Sequence, residues 1–273
     1  MLIRILTVIA YIAYCVPQRA KPWNYFQLNV LHFNDDKKIF SKLDNDLLIP
    51  PRWRLEQSLD IGQEPSRYPV FVKPEWGQNS AGVELAKDSA SLASIRKRRP
   101  LSKHDYLIQD AAQGSKEFEI FAISELANAD TPLVFSITET CNSSNEQYPV
   151  NGIYNTGTYY VDISAQLSPA QKAILWQQLK LIQTFRIARF GVRCDSLEDL
   201  LDGKFQVIEI NLFIPMPLAL IASNTTRRQA VKLSLQCAKS LVKATKDIPK
   251  QQEYKDVFFK KMRHSRSFKS VNS

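Results

Sequence analysis

The stretch FVKPEWGQNSAGV, residues 71–83, decides how the chain is read. Lys73 closes a β-branched and aromatic run, Pro74 follows, and a small polar loop lies between Gly77 and Gly82 before apolar residues resume. The chain holds only 8 glycines. A pair of them around Gln78, Asn79 and Ser80 marks a sharp turn or a close approach of backbone, because glycine has no Cβ to obstruct either. A hairpin turn is the plain reading. The other is a loop whose N–H groups wrap phosphate oxygens, with the Lys73 ammonium adding a point charge. The loop is not a Walker A element, since GxxxxGK[ST] is absent.

Working outward, 273 residues with 44% hydrophobic and 23% charged content describe an ordinary globular chain, long enough for one large domain or two modest ones. The net charge of +9 favours an anionic partner such as a nucleotide, a nucleic acid or an anionic membrane. Part of the excess sits in SIRKRRPLSKH (94–104) and KKMRHSRSFK (260–269). These runs read as a solvated helix face and a basic tail, or as contacts for anionic lipid. They lack the interleaved aromatics of a nucleic-acid site, which disfavours that partner. Cys15, Cys141, Cys194 and Cys237 have no CxxC spacing, so a disulfide framework or zinc knuckle is not expected and a reducing, cytoplasmic compartment fits. His32, His104 and His264 stand in unrelated contexts and suggest no metal cluster. The apolar run 5–16 is shorter than the roughly 20 residues that span a bilayer. It reads as a core strand or helix, with a membrane-surface anchor as the second reading.

Residues 35–53, DDKKIFSKLDNDLLIPPRW, read as a helix that stops before Pro50 and Pro51. RYPVFVK (67–73) and GVELAKD (82–88) read as strands, DSASLASIRKR (88–98) as a helix, and DYLIQD (105–110) as a short buried strand. KEFEIFAIS (116–124) alternates, with Phe118, Ile120 and Ala122 on one face and Glu117, Glu119 and Phe121 on the other. PLVFSITET (132–140) and TYYVDIS (158–164) are further strands around a polar, turn-rich loop at 139–157. Residues 168–190 read as a helix, with Ser168 as N-cap, Pro169 first and an apolar stripe of Leu175, Leu179, Ile182 and Phe185. FGVRCD (190–195) and KFQVIEIN (204–211) read as strands joined through an Asp202-Gly203 turn signal. Residues 224–247 form a last helix. The pattern is α+β, dominated by antiparallel strands.

Residues i and i+2 of a strand share a face, so Arg193 points with Asp195 and Glu209 with Asn211. Paired as a hairpin, these strands bring together one cation, two carboxylates and an amide. Three hard oxygen ligands are what Mg²⁺ takes when it also holds phosphates. The bland alternative is a solvated sheet face with one salt bridge. The apolar surroundings of VIEIN weigh against it, since a charged residue in an apolar strand needs a partner.

Four segments in order resemble the ATP-grasp ligases, and within them the D-alanine–D-alanine ligase branch. They are DKKIFSKL, YPVFVKPEWGQNSAGVELAKD, YLIQDAAQGSKEFEIFAI and FGVRCDSLEDLLDGKFQVIEIN, and the resemblance covers residues 35–245. It implies an ATP-grasp fold, in which two α+β subdomains with antiparallel sheets hold ATP between them. It implies that Lys37, with Lys38 as the one-residue alternative, and Lys73 bind phosphates. Gly77, Gln78, Asn79, Ser80, Ala81 and Gly82 would form a lid over the triphosphate. Gln109, Asp110, Ala111 and Ala112 would hydrogen-bond adenine, largely through backbone, and Glu117 would hold the ribose. Asp195, Glu209 and Asn211 would ligate Mg²⁺, with Mn²⁺ as an alternative, and Arg193 would steady phosphate and the reaction's oxyanion. The chain carries Gln109 where the ligases usually have Glu, and LFIPMPLAL (212–220) where they have a Pro-Gly turn.

The activity so implied is ATP-dependent joining of a carboxylate to an amine, thiol or hydroxyl through an acylphosphate, with Arg193 and Lys73 as catalytic residues. The competing reading is a catalytically impaired ATP-grasp protein that binds nucleotide or a partner. Set against the resemblance, the residues ahead of 35 leave the family's N-terminal substrate domain expected to be largely missing, which would favour that second reading. The expected layout is an apolar segment at 1–34, a lid-bearing subdomain at 35–108, a metal-bearing subdomain at 109–245 and a basic, flexible tail at 246–273. Small carboxylate and amine substrates are the expected partners, with an anionic membrane surface as a further one. The oligomeric state is left open.

Overall fold

The computed structural model describes residues 2–77, 80–99, 105–126, 129–144, 146–252, 257–260 and 262. FVKPEWGQNSAGV is a hairpin: β2 (Val70–Pro74) runs antiparallel to β3 (Glu84–Ala86), with Val72 opposite Glu84. With β1 (Gln57–Leu59) and β4 (Tyr106–Asp110) they form an antiparallel sheet in the order β1-β4-β2-β3. The intervening α3 (Ser89–Arg98) starts at a capping box on Asp88 and buries Leu92 and Ile95 against Val70, Val72 and Ala86.

The second sheet holds β5 (Lys116–Ile123), β6 (Val134–Asn142), β7 (Thr158–Asp162), β8 (Ile187–Cys194) and β9 (Gln206–Asn211) in the order β7-β6-β5-β8-β9, again antiparallel. The alternation of β5 decides what covers each face. Phe118 and Ile120 enter the main core with Trp53, Leu175, Leu179 and Phe190. On the other face, Phe121 and Ile123 pack under two helices, α1 (Leu2–Cys15) and α6 (Arg227–Lys246), beside Tyr11 and Leu241. Glu117 and Glu119 share that second face and line a cleft between the sheets.

Three expected elements are redrawn. The helix read over 35–53 is a turn closed by an Asn34–Ile39 bridge, followed by the five-residue α2 (Lys42–Asp46). Ser41 starts it by accepting the Asp44 N–H at 3.3 Å. The helix read over 168–190 ends at Lys180 as α4 (Pro169–Lys180). Ile182 and Phe185 still reach the core, but from a turn, because pairing with β5 draws the chain into β8 from Ile187. The link between β8 and β9 is a short helix, α5 (Leu197–Leu201), capped by Ser196. The apolar N-terminal run is helical and packs on α6, and no helix among the described residues is long and apolar enough to cross a membrane.

Gly114 turns the chain from β4 into β5 at φ +103, and a Cβ there would stand 2.5 Å from the Cys194 carbonyl. Gly114→Ala is expected to cost roughly 3 kcal/mol in urea unfolding. Gly62→Ala, at φ +99 with nothing within 4 Å, is expected to cost only about 1 kcal/mol.

Candidate active site

The cleft between the sheets, with its open mouth, holds about 1140 Å³ of space free of protein atoms, open solvent included. Its cationic wall comes from β2 and α2. Lys73 is only 6% exposed, and its Nζ donates to Gln109 Oε1 at 2.8 Å and to the Ile208 carbonyl at 3.4 Å. Burial, then repulsion from Lys42, brings the Lys73 ammonium down to about 7. Lys42 lines the same wall and donates to the Pro74 carbonyl at 2.8 Å, and burial lowers it as well.

Lys42, rather than the expected Lys37, lines the cleft. Lys37 is ion-paired with Glu75 at 2.7 Å and Lys38 with Asp35 at 2.9 Å, and neither lines the cleft. The reason is local: residues 35–38 form a turn, and the first residue of α2 is the one aimed inward. The Ser41-Lys42 cap was the readable signal.

Register builds the acidic wall. Arg189 faces Asn211 and Gly191 faces Glu209 across β8–β9, while Glu119 faces Gly191 from β5. A Cβ on Gly191 would lie 3.4 Å from both Glu119 Oε1 and Glu209 Cγ, so this glycine leaves room for carboxylates from both flanking strands. Arg189 Nε forms an ion pair with Glu119 Oε2 at 3.0 Å, and Asn211 Nδ2 donates to Glu209 Oε1 at 2.7 Å. Burial pushes Glu119 up to about 7. Burial also acts upward on Glu209, but Lys42 and Arg189 outweigh it and hold that carboxyl below its ordinary value.

Arg193 and Asp195 do not take the places expected of them beside Glu209. β8 begins at Ile187, and a bulge at Gly191/Val192 sets Arg193 opposite Gln206. Arg193 still lines the cleft, at another part of its wall, where Nε donates to the Gly114 carbonyl at 2.7 Å and Nη2 to the Gln147 carbonyl. Asp195 lies beyond the strand, exposed, accepting the Ser115 N–H at 3.1 Å. The residues beside VIEIN are Arg189 and Gly191, four positions earlier in the chain.

Gly77, Ser80 and Ala81 line the cleft, and Gly82, at φ +74, would put a Cβ against Pro74. Gln78 and Asn79 lie outside the described residues. Ser80 Oγ donates to the Asn151 carbonyl, which ties the described part of this loop to residues 149–153. Asn151 Nδ2 also donates to Glu117 Oε2 at 2.9 Å, and burial pushes Glu117 up to about 7. Asn151, unremarked in the sequence, therefore joins loop to cleft wall. Gln109, Asp110 and Ala112 line the cleft, and the Gln109 side chain is spent on Lys73 and the Ile208 carbonyl. The Asp110 carboxylate pairs with Arg67 at 2.6 Å, and the Ala111 N–H donates to the Pro69 carbonyl at 3.1 Å.

Among the described residues, no three His, Cys, Asp or Glu gather as a metal site. Glu119, Glu209 and Asn211 nevertheless offer two carboxylates and one amide from the two strands that flank β8, with Glu119 Oε2 held by the Arg189 ion pair. That all-oxygen set fits a hard divalent cation.

Two antiparallel sheets facing each other across this cleft form the ATP-grasp fold. The VanG D-Ala:D-Ser ligase from Enterococcus faecalis has it, at a TM-score of 0.50 and 14% identity, over 75% of this chain and 61% of that one. The D-alanine–D-alanine ligase from Bacillus anthracis complexed with ATP aligns at 0.48 and 15%, over 76% and 68% of the two chains. The L-amino acid ligase from Bacillus licheniformis aligns at 0.47 and 20%, over 73% and 47%. The chain thus spans roughly half to two thirds of these enzymes' lengths. No protein-family model and no curated protein sequence matches it.

Lys73 gives the site a pH signature. Its folded value of about 7 lies below the ordinary 10.5, so between these the unfolded chain holds a proton that the folded chain has released. Stability contributed by this group therefore rises with pH through that window. Lys73→Met is expected to remove the rise and to stabilise the chain at pH 6 by roughly 3 kcal/mol, read from urea midpoints.

Proposed function

We propose that the chain is an ATP-dependent ligase that activates a carboxylate as an acylphosphate and transfers its acyl group to an amine, thiol or hydroxyl. The carrying observation is the opposition of two desolvated lysines, Lys42 and Lys73, to Glu119, Glu209 and Asn211 across a cleft of the ATP-grasp fold. A lysine pushed toward neutrality by burial gains most from an anion that restores its charge, and a triphosphate is such an anion.

In this reading Lys42 and Lys73 hold phosphate oxygens, and Gly77, Ser80, Ala81 and Gly82 close over them. Residues 109–112 cradle the base, and Glu117 holds the ribose. Glu209, Asn211 and Glu119 hold Mg²⁺ or Mn²⁺, which when bound neutralises charge on the phosphates. The γ-phosphoryl group passes to a substrate carboxylate oxygen and ADP leaves. The nucleophile then attacks the acyl carbon, inorganic phosphate departs, and the nucleophile's proton goes to solvent. Arg189, rather than Arg193, faces the metal side and steadies the oxyanion. The closed loop excludes water, whose attack on the acylphosphate is the competing loss. The lid-bearing half is assigned to 35–108 and the metal-bearing half to 109–245.

One observation favours a second reading, nucleotide binding without turnover. Opposite Glu209, β8 supplies Gly191 and no carboxylate, while Asp195 lies outside the cleft. Incubation with ATP, Mg²⁺ and pooled amino and hydroxy acids separates the two. Substrate-dependent release of ADP and phosphate that vanishes in Glu209→Ala supports the ligase. ATP binding with no turnover on any pool selects the second reading, and no ATP binding removes both. Ser80→Ala is expected to keep nucleotide bound while slowing turnover about fivefold, the worth of one hydrogen bond of about 1 kcal/mol. Glu119→Gln is expected to weaken Mn²⁺ binding in the presence of ATP, followed by electron paramagnetic resonance.

A further inference from the structure

The outer surface of α1 has no role in the cleft. The helix turns Thr7, Ala10, Tyr11 and Cys15 inward, and Thr7 Oγ1 donates to Ser234 Oγ of α6 at 3.0 Å. Past its end, Lys246 Nζ donates to Gln18 Oε1 at 2.8 Å, so the two helices run side by side in the same direction. Outward, Leu2, Ile5, Val8, Ile9, Ile12 and Val16 are between 45% and 83% exposed. Their three- and four-residue spacing makes a continuous stripe, which a soluble monomer rarely leaves to water.

Charge says what covers it. Residues 1–34 and 212–246 contain no Asp or Glu. The first segment carries Arg4, Arg19 and Lys21, and the second carries Arg227, Arg228, Lys232, Lys239, Lys243 and Lys246. Those nine cations equal the net charge of the whole chain, +9. On α6 all six are exposed. A second copy docked through this face would set like charge against like. At 14 residues α1 is about 21 Å long, short of the roughly 30 Å of a bilayer core, so it fits the interfacial plane. Trp23, 63% exposed next to basic Lys21, is of the type that anchors at that depth.

We propose that α1 and α6 form a docking face for an anionic lipid bilayer. The apolar stripe of α1 enters the headgroup boundary, and the cations of α6 bind lipid phosphates and carboxylates. The reading is independent of the chemistry of the cleft.

The test is cosedimentation of the full chain with phosphatidylcholine vesicles, with and without phosphatidylserine. The chain is expected to pellet with the anionic vesicles, and to be released by high salt. Ile9→Glu/Ile12→Glu should abolish pelleting, and Lys239→Glu/Lys243→Glu should weaken it at least about tenfold, each cation being worth about fivefold. Both variants change exposed side chains and should unfold at the wild-type urea midpoint. Failure to pellet, or equal pelleting on both vesicles, overturns the proposal. A dimer in light scattering that Ile9→Glu/Ile12→Glu dissolves also overturns it, in favour of a second copy.

Discussion

Charge buried between two sheets has to find opposite charge, and the cleft of this protein is organised around that requirement. Lys42 and Lys73 stand across from Glu119 and Glu209, with Arg189 between the two carboxylates, and no member would keep its charge there alone. Desolvation drives Lys73 down and Glu119 up, each to about 7, while Lys42 and Arg189 together keep Glu209 ionised. The set is held poised rather than fully paired. An anion on the lysine side and a cation on the carboxylate side would both complete it, and the proposal of a metal-bound phosphate rests on that complementarity.

Those carboxylates and Arg189 meet only because three strands agree in register. β5, β8 and β9 lie side by side, and the centre of the three contributes Gly191 where Glu119 and Glu209 approach from either side. With Gly191 set opposite Glu209, the strand carries Arg193 on to lie opposite Gln206 past a one-residue bulge, so neither Arg193 nor Asp195 faces Glu209. Backbone pairing thus selected Arg189 over Arg193. Sequence spacing within a strand says which residues share a face, but not which residues lie opposite on the neighbouring strand.

The same face of the second sheet serves two purposes along its length. Near Glu117 and Glu119 it is left open as a cleft wall, and at Phe121 and Ile123 it is sealed by α1 and α6. Sealing it needs only one side of α1. The other side is left apolar beside a helix rich in positive charge, the pairing on which the proposed lipid contact rests.

Much of the fold was legible in the residues themselves. Alternation in KEFEIFAIS separated the core face from the charged face, Ser168 and Pro169 marked the start of α4, and the hairpin in FVKPEWGQNSAGV followed from its glycines. That Lys73, Glu209 and Asn211 share one cleft was readable too, because polar residues inside apolar strands need polar partners. Tertiary structure decided the rest. It ended α4 at Lys180 although the apolar stripe ran on, because pairing to β5 outweighed helical spacing. It put Lys42 in the cleft in place of Lys37, because the chain turns before Ser41. It brought in Glu119, Arg189 and Asn151, and left Asp195 outside, because cross-strand register and loop closure depend on contacts far apart in the chain. The sequence determined which side chains share a face, a local property of strand and helix period; only the packed sheets decided which faces meet.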